Sequence, residues 1–444
     1  MKIDLTKKNL AINGGKPIRN LDKKWLDNFT TDDEEKKAIN EVLDSGYLSL
    51  FEGSHSPDYP FSFEGGPFVQ KFEKEWNRFY GTKHSISVNS ATSGLFASIG
   101  ALGIGYGDEV IVSPYTMTAC ALAPLIYGAI PVFADVELET GCLDPNSIIK
   151  KVSKNTKAII VVHQFGIPAN MDAILEIAKK HNLKIIEDCA QAHGCLYKGK
   201  LVGTFGDIGV FSLNVNKTIQ TGEGGVCITN NDKISYRLKL IRNHGEAVVG
   251  PAKYSNITNI AGYNYRMTEI IAAVASTQLK KLKKLNNERI KMVCWLSEKF
   301  EKYDFLEPMI KRPECKNCRC TKHQKCKPTF YLFPTRFLKS KTNTSRNKFI
   351  EALNKEGFKF YLGYTPPLYL QPVYQKKHLF KKGYPFKSEA NSGLNINYKE
   401  GICPNTEKLF YEEMIINEHI RLPNSMIDLE EIVFAIDKLL KEEI

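Results

Sequence analysis

Residues 185–230 read IIEDCAQAHGCLYKGKLVGTFGDIGVFSLNVNKTIQTGEGGVCITN. The runs KIIED, DIGVFSL and GGVCIT are too short for helices and are bounded by Gly, Asp and Thr, so they read as buried strands. One acid (Asp188), one amide (Gln191), one hydroxyl (Ser212) and one lysine (Lys217) then fall at or just beyond strand ends. Lys217 lies in a loop between two strands, beside the flexible backbone of T-G-E-G-G. Spacing alone leaves it open between a solvated surface lysine and a working one.

Upstream, the same rhythm repeats. The pattern PFVQKFEKEWNRFY from Pro67 has apolar residues at helical spacing and stops at Gly81, and the strand HSISV follows. Then come strand EVIVSP, a helix near 118–128, strand IPVFADV, a helix near 145–151, strand KAIIVVHQFG, helix 171–181 and KIIED. Strands separated by helices in this way imply an α/β fold, with a mainly parallel sheet covered by helices on both faces. Ligands gather at the carboxyl ends of such strands, which promotes Asp188 and His163 from core residues to site candidates. Between HSISV and the next helix lies NSATSGL, a turn of small hydroxyl residues at a helix start. Unpaired N–H groups and the helix dipole make such a turn an anion site, with Thr92 and Ser93 as phosphate contacts, although plain helix capping explains the same residues.

Before this unit, residues 1–30 are basic and irregular. The stretch TDDEEKKAINEVLDSG reads as a helix capped by Thr30 or Thr31 and ended by Gly46. Residues 48–66 read as a long surface loop. After it, ISYRLKLIRNHGE reads as a helix, and a long helical run begins at Arg266, linking two domains. We expect a large domain over residues 1–281 and a smaller α/β domain over 282–444, with a Cys-rich insertion near 313–328.

The chain has 444 residues, enough for two or three domains, with ordinary globular composition at 43% hydrophobic and 25% charged. Its formal charge of +12 comes from lysines scattered along the chain rather than from a patch, which argues against nucleic acid as partner. The start lacks the apolar core of a signal peptide and no run of about 18 apolar residues occurs, so no membrane partner and a cytoplasmic location are expected. Eleven cysteines without a secretory signal fit reduced thiols.

The central stretch has the parts that pyridoxal 5'-phosphate requires: a lysine for the Schiff base (Lys217), an acid for the pyridine nitrogen (Asp188), and phosphate contacts (Thr92, Ser93, Ser212). Gln191 could meet the ring oxygen or face. At this point the chain resembles the DegT/DnrJ/EryC1/StrS family of pyridoxal-phosphate-dependent sugar aminotransferases. The resemblance rests on EDCAQAHG, GTFGDIGVFS and KTIQTGEGG, and extends to AINGGKP, NSATSGL, RNHGE, GYNYRMTEI and the Leu422–Pro423 pair. It implies a fold-type I transferase, a homodimer with shared active sites, and Lys217 as Schiff-base lysine and proton shuttle. It also implies that Asn264 reaches the phosphate of the neighbouring subunit. The implied reaction moves nitrogen from glutamate or glutamine to a keto-sugar, nucleotide-linked, or a related cyclitol.

The chain departs from the family pattern at two places. Met117 in SPYTMTA stands where relatives carry an aromatic ring against the cofactor face, and Asn214 replaces a larger polar group before the lysine. Related dehydratases replace the lysine by histidine, so Lys217 argues against dehydration. The family does not explain PECKNCRCTKHQKCKP, which places Cys315, Cys318, Cys320 and Cys326 around His323. Its C-x2-C opening has zinc-ligand spacing, so a structural zinc site competes with a reduced surface insertion. A basic zinc-stapled binding protein on the same fold is the reading from another class. Candidate substrate contacts are His163, the loop from Phe51 to Phe63, and the aromatic stretch from Tyr361 to Tyr374 with Tyr369 within it.

Overall fold

The computed structural model of the chain describes residues 1–53, 60–309 and 326–440. After α1 (Asp33–Ser45) and α2 (Pro67–Tyr80), strands and helices alternate as β1 (His84–Val88), α3 (Ala91–Ala101), β2 (Glu109–Val112), α4 (Ala119–Ile126), β3 (Ile130–Phe133), α5 (Pro145–Lys151), β4 (Thr156–Val162), α6 (Met171–His181) and β5 (Lys184–Asp188). A small hairpin of β6 (Leu196–Tyr197) and β7 (Lys200–Leu201) precedes β8 (Ile208–Ser212), β9 (Gly225–Thr229) and α7 (Asp232–Arg242). The seven long strands form one sheet in the order β1-β9-β8-β5-β4-β2-β3. The run from β8 to β3 is parallel, and β9 is antiparallel to both of its neighbours.

Both sheet faces are covered, and the alternation along the strands shows it. On β4, Ile159 and Val161 join one core with Phe72, Trp76, Ile174 and Leu279. Ala158, Ile160 and Val162 join the opposite core with Leu95, Leu125 and Leu238. Each of these side chains is essentially removed from water, about 1.5–3 kcal/mol apiece for the larger aliphatic ones.

The 32-residue α8 (Glu269–Phe300) carries Leu279 and Leu282 into the large-domain core, then Val293, Leu296 and Phe300 into a third core. It therefore runs straight through residues 281–282. Beyond it lie β10 (Leu306–Pro308), β11 (Phe333–Phe337), α9 (Arg346–Lys355), β12 (Tyr361–Leu362), α10 (Pro372–Gln375), α11 (Pro404–Lys408), β13 (Met414–Asn417) and α12 (Met426–Leu439). β10, β11, β13 and β12 make a second, antiparallel sheet. Ile3, Leu10 and Trp25 pack into this third core, so the first segment of the chain lies with the C-terminal elements. Arg19 ties it down by pairing with Asp428 and Glu431 on α12.

Helix ends differ from expectation in two places, and a third is capped from a distance. Asp32, not Thr30 or Thr31, caps α1, in a capping box with Glu35, while Gly46 ends the helix at φ 74° as expected. α8 begins three residues after Arg266 because the Thr268 side chain accepts from the Ile271 N–H. Gly66 has no side chain to cap α2, and Glu269 does so from a distance, accepting from Gly66 N at 3.0 Å and Phe68 N at 2.8 Å. The segment expected as a surface loop is anchored at its start: Leu50 and Phe51 are buried, and the Arg242 guanidinium lies 4.7 Å from the centre of the Phe51 ring. No helix among the described residues is long and apolar enough to cross a membrane.

Candidate active site

Asp188 ends β5 and Ser212 ends β8, its parallel neighbour, so both project at the carboxyl edge of the sheet where α/β ligands collect. Ser212 pairs with Gly225, and Gly225 lies so close to the start of α3 that a Cβ there would stand 2.6 Å from the Ser90 carbonyl carbon. The strand ends and the N-terminus of α3 thus form one concave surface. Ser90 is the true cap, accepting from Ser93 N at 3.1 Å, while the Ser93 hydroxyl donates to Asn89 Oδ1 at 2.6 Å. The N–H groups of Ala91 and Thr92 and the Thr92 hydroxyl find no partner among the described residues. Such orphan donors at a positive helix end suit a phosphate.

Lys217 is 9% exposed, and its Nζ lies 4.2 Å from the centre of the Tyr331 ring. Among the described residues it makes no hydrogen bond or ion pair there. Its loop is fixed through the main chain. Lys217 N donates to the Asn214 carbonyl at 2.9 Å, and Asn28 donates its amide to the carbonyls of Lys217 (2.8 Å) and Val215 (3.0 Å). Asn214 turns its own amide away to Glu223. Below the lysine, His193 is buried and held down to about 3, by desolvation first and by the Lys217 and Arg289 charges. It is therefore neutral and competes for no proton with Lys217 near neutral pH.

Asp188 accepts from Ala190 N at 2.9 Å through Oδ1, and the Cys120 thiol sits 2.9 Å from Oδ2. Burial and the adjacent carboxylate push the Cys120 thiol well above its ordinary range, so it keeps its proton and donates it. Gln191 accepts from Phe165 N at 2.7 Å and donates to the Tyr364 hydroxyl at 3.0 Å, which fixes its plane beside the site. Met117 is 54% exposed, at the site mouth rather than in a core. Asn264 is exposed too, with Arg266 Nε donating to its Oδ1 at 2.8 Å.

An unpartnered buried amine, a carboxylate at a strand end, and a phosphate-shaped set of orphan donors are what pyridoxal phosphate needs, so the residues fit that group. Asp188 and Ser212 end neighbouring strands, Gly225 opposite Ser212 packs on the start of the helix that carries Thr92, and Lys217 lies in the loop that follows Ser212. Ser93 is adjacent, but Ser90 occupies its N–H and Asn89 its hydroxyl.

Two expected substrate contacts belong to the scaffold instead. His163 is fully buried, with Nδ1 accepting from Ala169 N at 3.0 Å and Nε2 donating to Glu187 at 3.1 Å. Glu187 also accepts from the N–H groups of Gly203, Phe205 and Gly206, so the cluster with Cys189 is a structural tie across the sheet edge. Tyr369 is buried against Phe133, with its hydroxyl on Glu407. Cys315, Cys318, Cys320 and His323 lie outside the described residues. Cys326 is buried in the large-domain core, where its Sγ accepts from Lys198 N at 3.4 Å. Sequence reasoning missed Cys120, Asn28 and Tyr331, whose approach to the site depends on pairings between residues far apart in the chain, while Tyr364 lies within the aromatic stretch it singled out.

The profile of the DegT/DnrJ/EryC1/StrS aminotransferase family matches residues 58–416. The chain is 32% identical over 385 residues to the GDP-perosamine synthase of Vibrio cholerae, covering 85% of this chain and 94% of that one. It is 34% identical over 298 residues to the L-glutamine:2-deoxy-scyllo-inosose aminotransferase of Micromonospora echinospora, covering 65% and 68%. The solved structure of an aminotransferase from Psychrobacter cryohalolentis superimposes with a TM-score of 0.76 at 27% identity, over 94% of this chain and 98% of that one.

Proposed function

Because the chain belongs to the DegT/DnrJ/EryC1/StrS aminotransferase family, and is an aminotransferase, we propose that it transfers the amino group of glutamate or glutamine to a nucleotide-linked keto-sugar in amino-sugar biosynthesis. The observation that carries this reading is Lys217, buried against the Tyr331 ring and without a charged partner among the described residues, in the loop that follows Ser212. Pyridoxal phosphate, when bound, supplies the aldehyde carbon that takes up nitrogen and the electron sink that makes the α-proton of the donor acidic.

The chain's own groups do the rest. The N–H groups of Ala91 and Thr92, with the hydroxyls of Thr92 and Ser212, would hold the phosphate. Asp188 accepts the ring N–H, and Cys120 and Ala190 N keep that carboxylate in one orientation. Lys217 Nζ would hold the cofactor and would serve as the base for the α-proton of the donor. The Tyr331 ring limits where Nζ can swing. Gln191 and Tyr364 wall the site against free water. Met117 would offer its thioether to the cofactor face, a softer contact than an aromatic one.

A homodimer supports this arrangement, with Asn264 of one copy completing the phosphate site of the other. The amide is exposed in the single chain, where among the described residues only Arg266 engages its oxygen. Sedimentation of the purified protein as a monomer would remove this part of the reading.

The test of function is a panel of nucleotide-linked keto-sugars assayed with glutamate and with glutamine. A second acceptor class, a cyclitol ketone, is supported by the similarity to the scyllo-inosose aminotransferase, and belongs in the same panel. Consumption of keto-sugar without any dependence on an amino donor would overturn aminotransfer in favour of dehydration.

A further inference from the structure

Asn28 is 9% exposed, and its side-chain amide donates to the Val215 carbonyl at 3.0 Å and to the Lys217 carbonyl at 2.8 Å. The carbonyl between them, that of Asn216, accepts from Arg421 Nη1 at 3.4 Å. Three successive carbonyls of the Lys217 loop are thus held by groups 187 to 205 positions away in the chain. Side-chain packing adds little there, because Val215 is 48% exposed and Asn216 is exposed, so hydrogen bonds must fix the loop.

Asn28 and Arg421 belong to one unit. Asn424 accepts from Leu26 N at 3.0 Å through Oδ1 and donates through Nδ2 to the carbonyls of Leu26 and His419, each at 3.1 Å. The Trp25 and His419 rings lie 5.5 Å apart. Burial lowers Arg421 from its ordinary value and the Glu418 and Asp27 charges oppose that, so the segment that carries Asn28 also supplies counter-charge to this turn. The segment is anchored on both sides of Asn28. Before it, Trp25 packs in the third core and Arg19 pairs with Asp428 and Glu431 on α12. After it, the Thr30 carbonyl accepts from Gln278 and Lys281 on α8. Residues 19–30 therefore form a strap that crosses the Lys217 loop at Asn28.

We propose that Asn28 is a positioning residue for Lys217: through this one amide the strap sets the main chain on which the lysine stands, so that Nζ reaches the cofactor. Two donors on one planar group fix two carbonyls at once, and with them the tilt of the loop as well as its height. A misplacement of about 1 Å can cost about 100-fold in such a reaction, so the hold matters to chemistry more than to the fold. This rests on the aminotransferase reading above for what Lys217 does, but not for the order of its loop.

The test compares the full-length wild type with Asn28→Ala and with the isosteric Asn28→Asp, which removes both donors. Hydrogen exchange read by mass spectrometry should speed up by about 5- to 100-fold over residues 213–223, the range expected for two lost hydrogen bonds, while peptides of β4 and β5 keep their rates. Cofactor release from the loaded proteins gives a readout tied to the lysine itself. Lys217 can bond to pyridoxal phosphate but not to pyridoxamine phosphate, which is already an amine. Both variants should therefore release the aldehyde form faster by a similar factor and the amine form at the wild-type rate. Asn424→Ala, which removes the tie between strap and turn without touching the loop, should reproduce part of both effects. Wild-type exchange over residues 213–223 would overturn the proposal. So would equal acceleration of both cofactor forms, or faster exchange throughout the chain, either of which would make Asn28 a prop of the fold alone. Faster exchange confined to this loop, in a protein whose wild type shows no lysine-linked cofactor, would support the strap's hold on the loop while refuting the proposed reaction.

Discussion

Gly225→Ala puts the phosphate cradle to a test that leaves every proposed site side chain in place. The added Cβ would stand 2.6 Å from the Ser90 carbonyl carbon, 2.7 Å from Ala91 N and 2.8 Å from Ser90 O. Ordinary contact begins at 3.4 Å, so the start of α3 must retreat by roughly 0.8 Å, the difference between 3.4 and 2.6. All three obstacles are backbone atoms, and no rotamer change relieves them. Overpacking of this kind costs about 1–3 kcal/mol of stability. The displacement falls on the Ala91 and Thr92 N–H groups. Misaiming one charge-assisted bond to a phosphate costs about 1.5–3 kcal/mol, or about 10- to 150-fold in affinity. The assay pairs the thermal midpoint of the cofactor-free protein with a titration of pyridoxal phosphate followed by fluorescence quenching. Both should fall. A lower midpoint with wild-type affinity would show that the α3 N-terminus does not hold the phosphate, and two unchanged values would refute the steric argument itself.

Three further outcomes are expected. Lys217→Ala should abolish amino transfer and the absorption band of the lysine-linked cofactor, while still binding pyridoxal phosphate as the free aldehyde through the cradle; retained turnover would end the assignment of Lys217. Glu73→Gln should cost about 3–5 kcal/mol in urea unfolding, because Glu73 is the 2.8 Å counter-charge of the fully buried Arg242 and also accepts from Ser87; a loss below about 1 kcal/mol would contradict it. His193 and His419 are held at about 3 and about 4 against an ordinary 6.5, chiefly by burial, so the unfolded chain binds more protons below 6.5. Their contribution is whole above pH 6.5 and lost as pH falls toward those values. The thermal midpoint should therefore already decline between pH 6.5 and about 5, before most carboxylates titrate, and His193→Gln should flatten that decline. A midpoint insensitive to pH over that range would count against both buried imidazoles being neutral.

The strand and helix pattern of the large domain was legible because each element carries its own local signal. HSISV, KIIED and GGVCIT alternate or run apolar between breakers, and Gly46 and Gly81 stop their helices in the left-handed conformation that glycine adopts freely. What failed locally failed where a distant group took over. Thr30 was a reasonable cap for α1, but its carbonyl is engaged by Gln278 and Lys281 on α8, and Asp32 caps instead. His163 sits at a strand end as a ligand would, yet Glu187 and Ala169 N use both of its ring nitrogens.

Sequence alone determined the order of the large-domain elements, the family and the aminotransferase chemistry, and nominated Lys217 to carry it, because these signals reside in short contiguous motifs whose meaning does not depend on what packs against them. Tertiary structure decided which polar groups remain available. Burial and long-range pairing consumed His163, Tyr369 and the Ser93 hydroxyl, set the Cys120 thiol on Asp188, and left the Nε of Arg421, whose Nη1 reaches the Lys217 loop, buried without an acceptor among the described residues. Whether a donor or acceptor is spent or free depends on the other end of each bond, and for these residues that end lies from four to more than two hundred positions away.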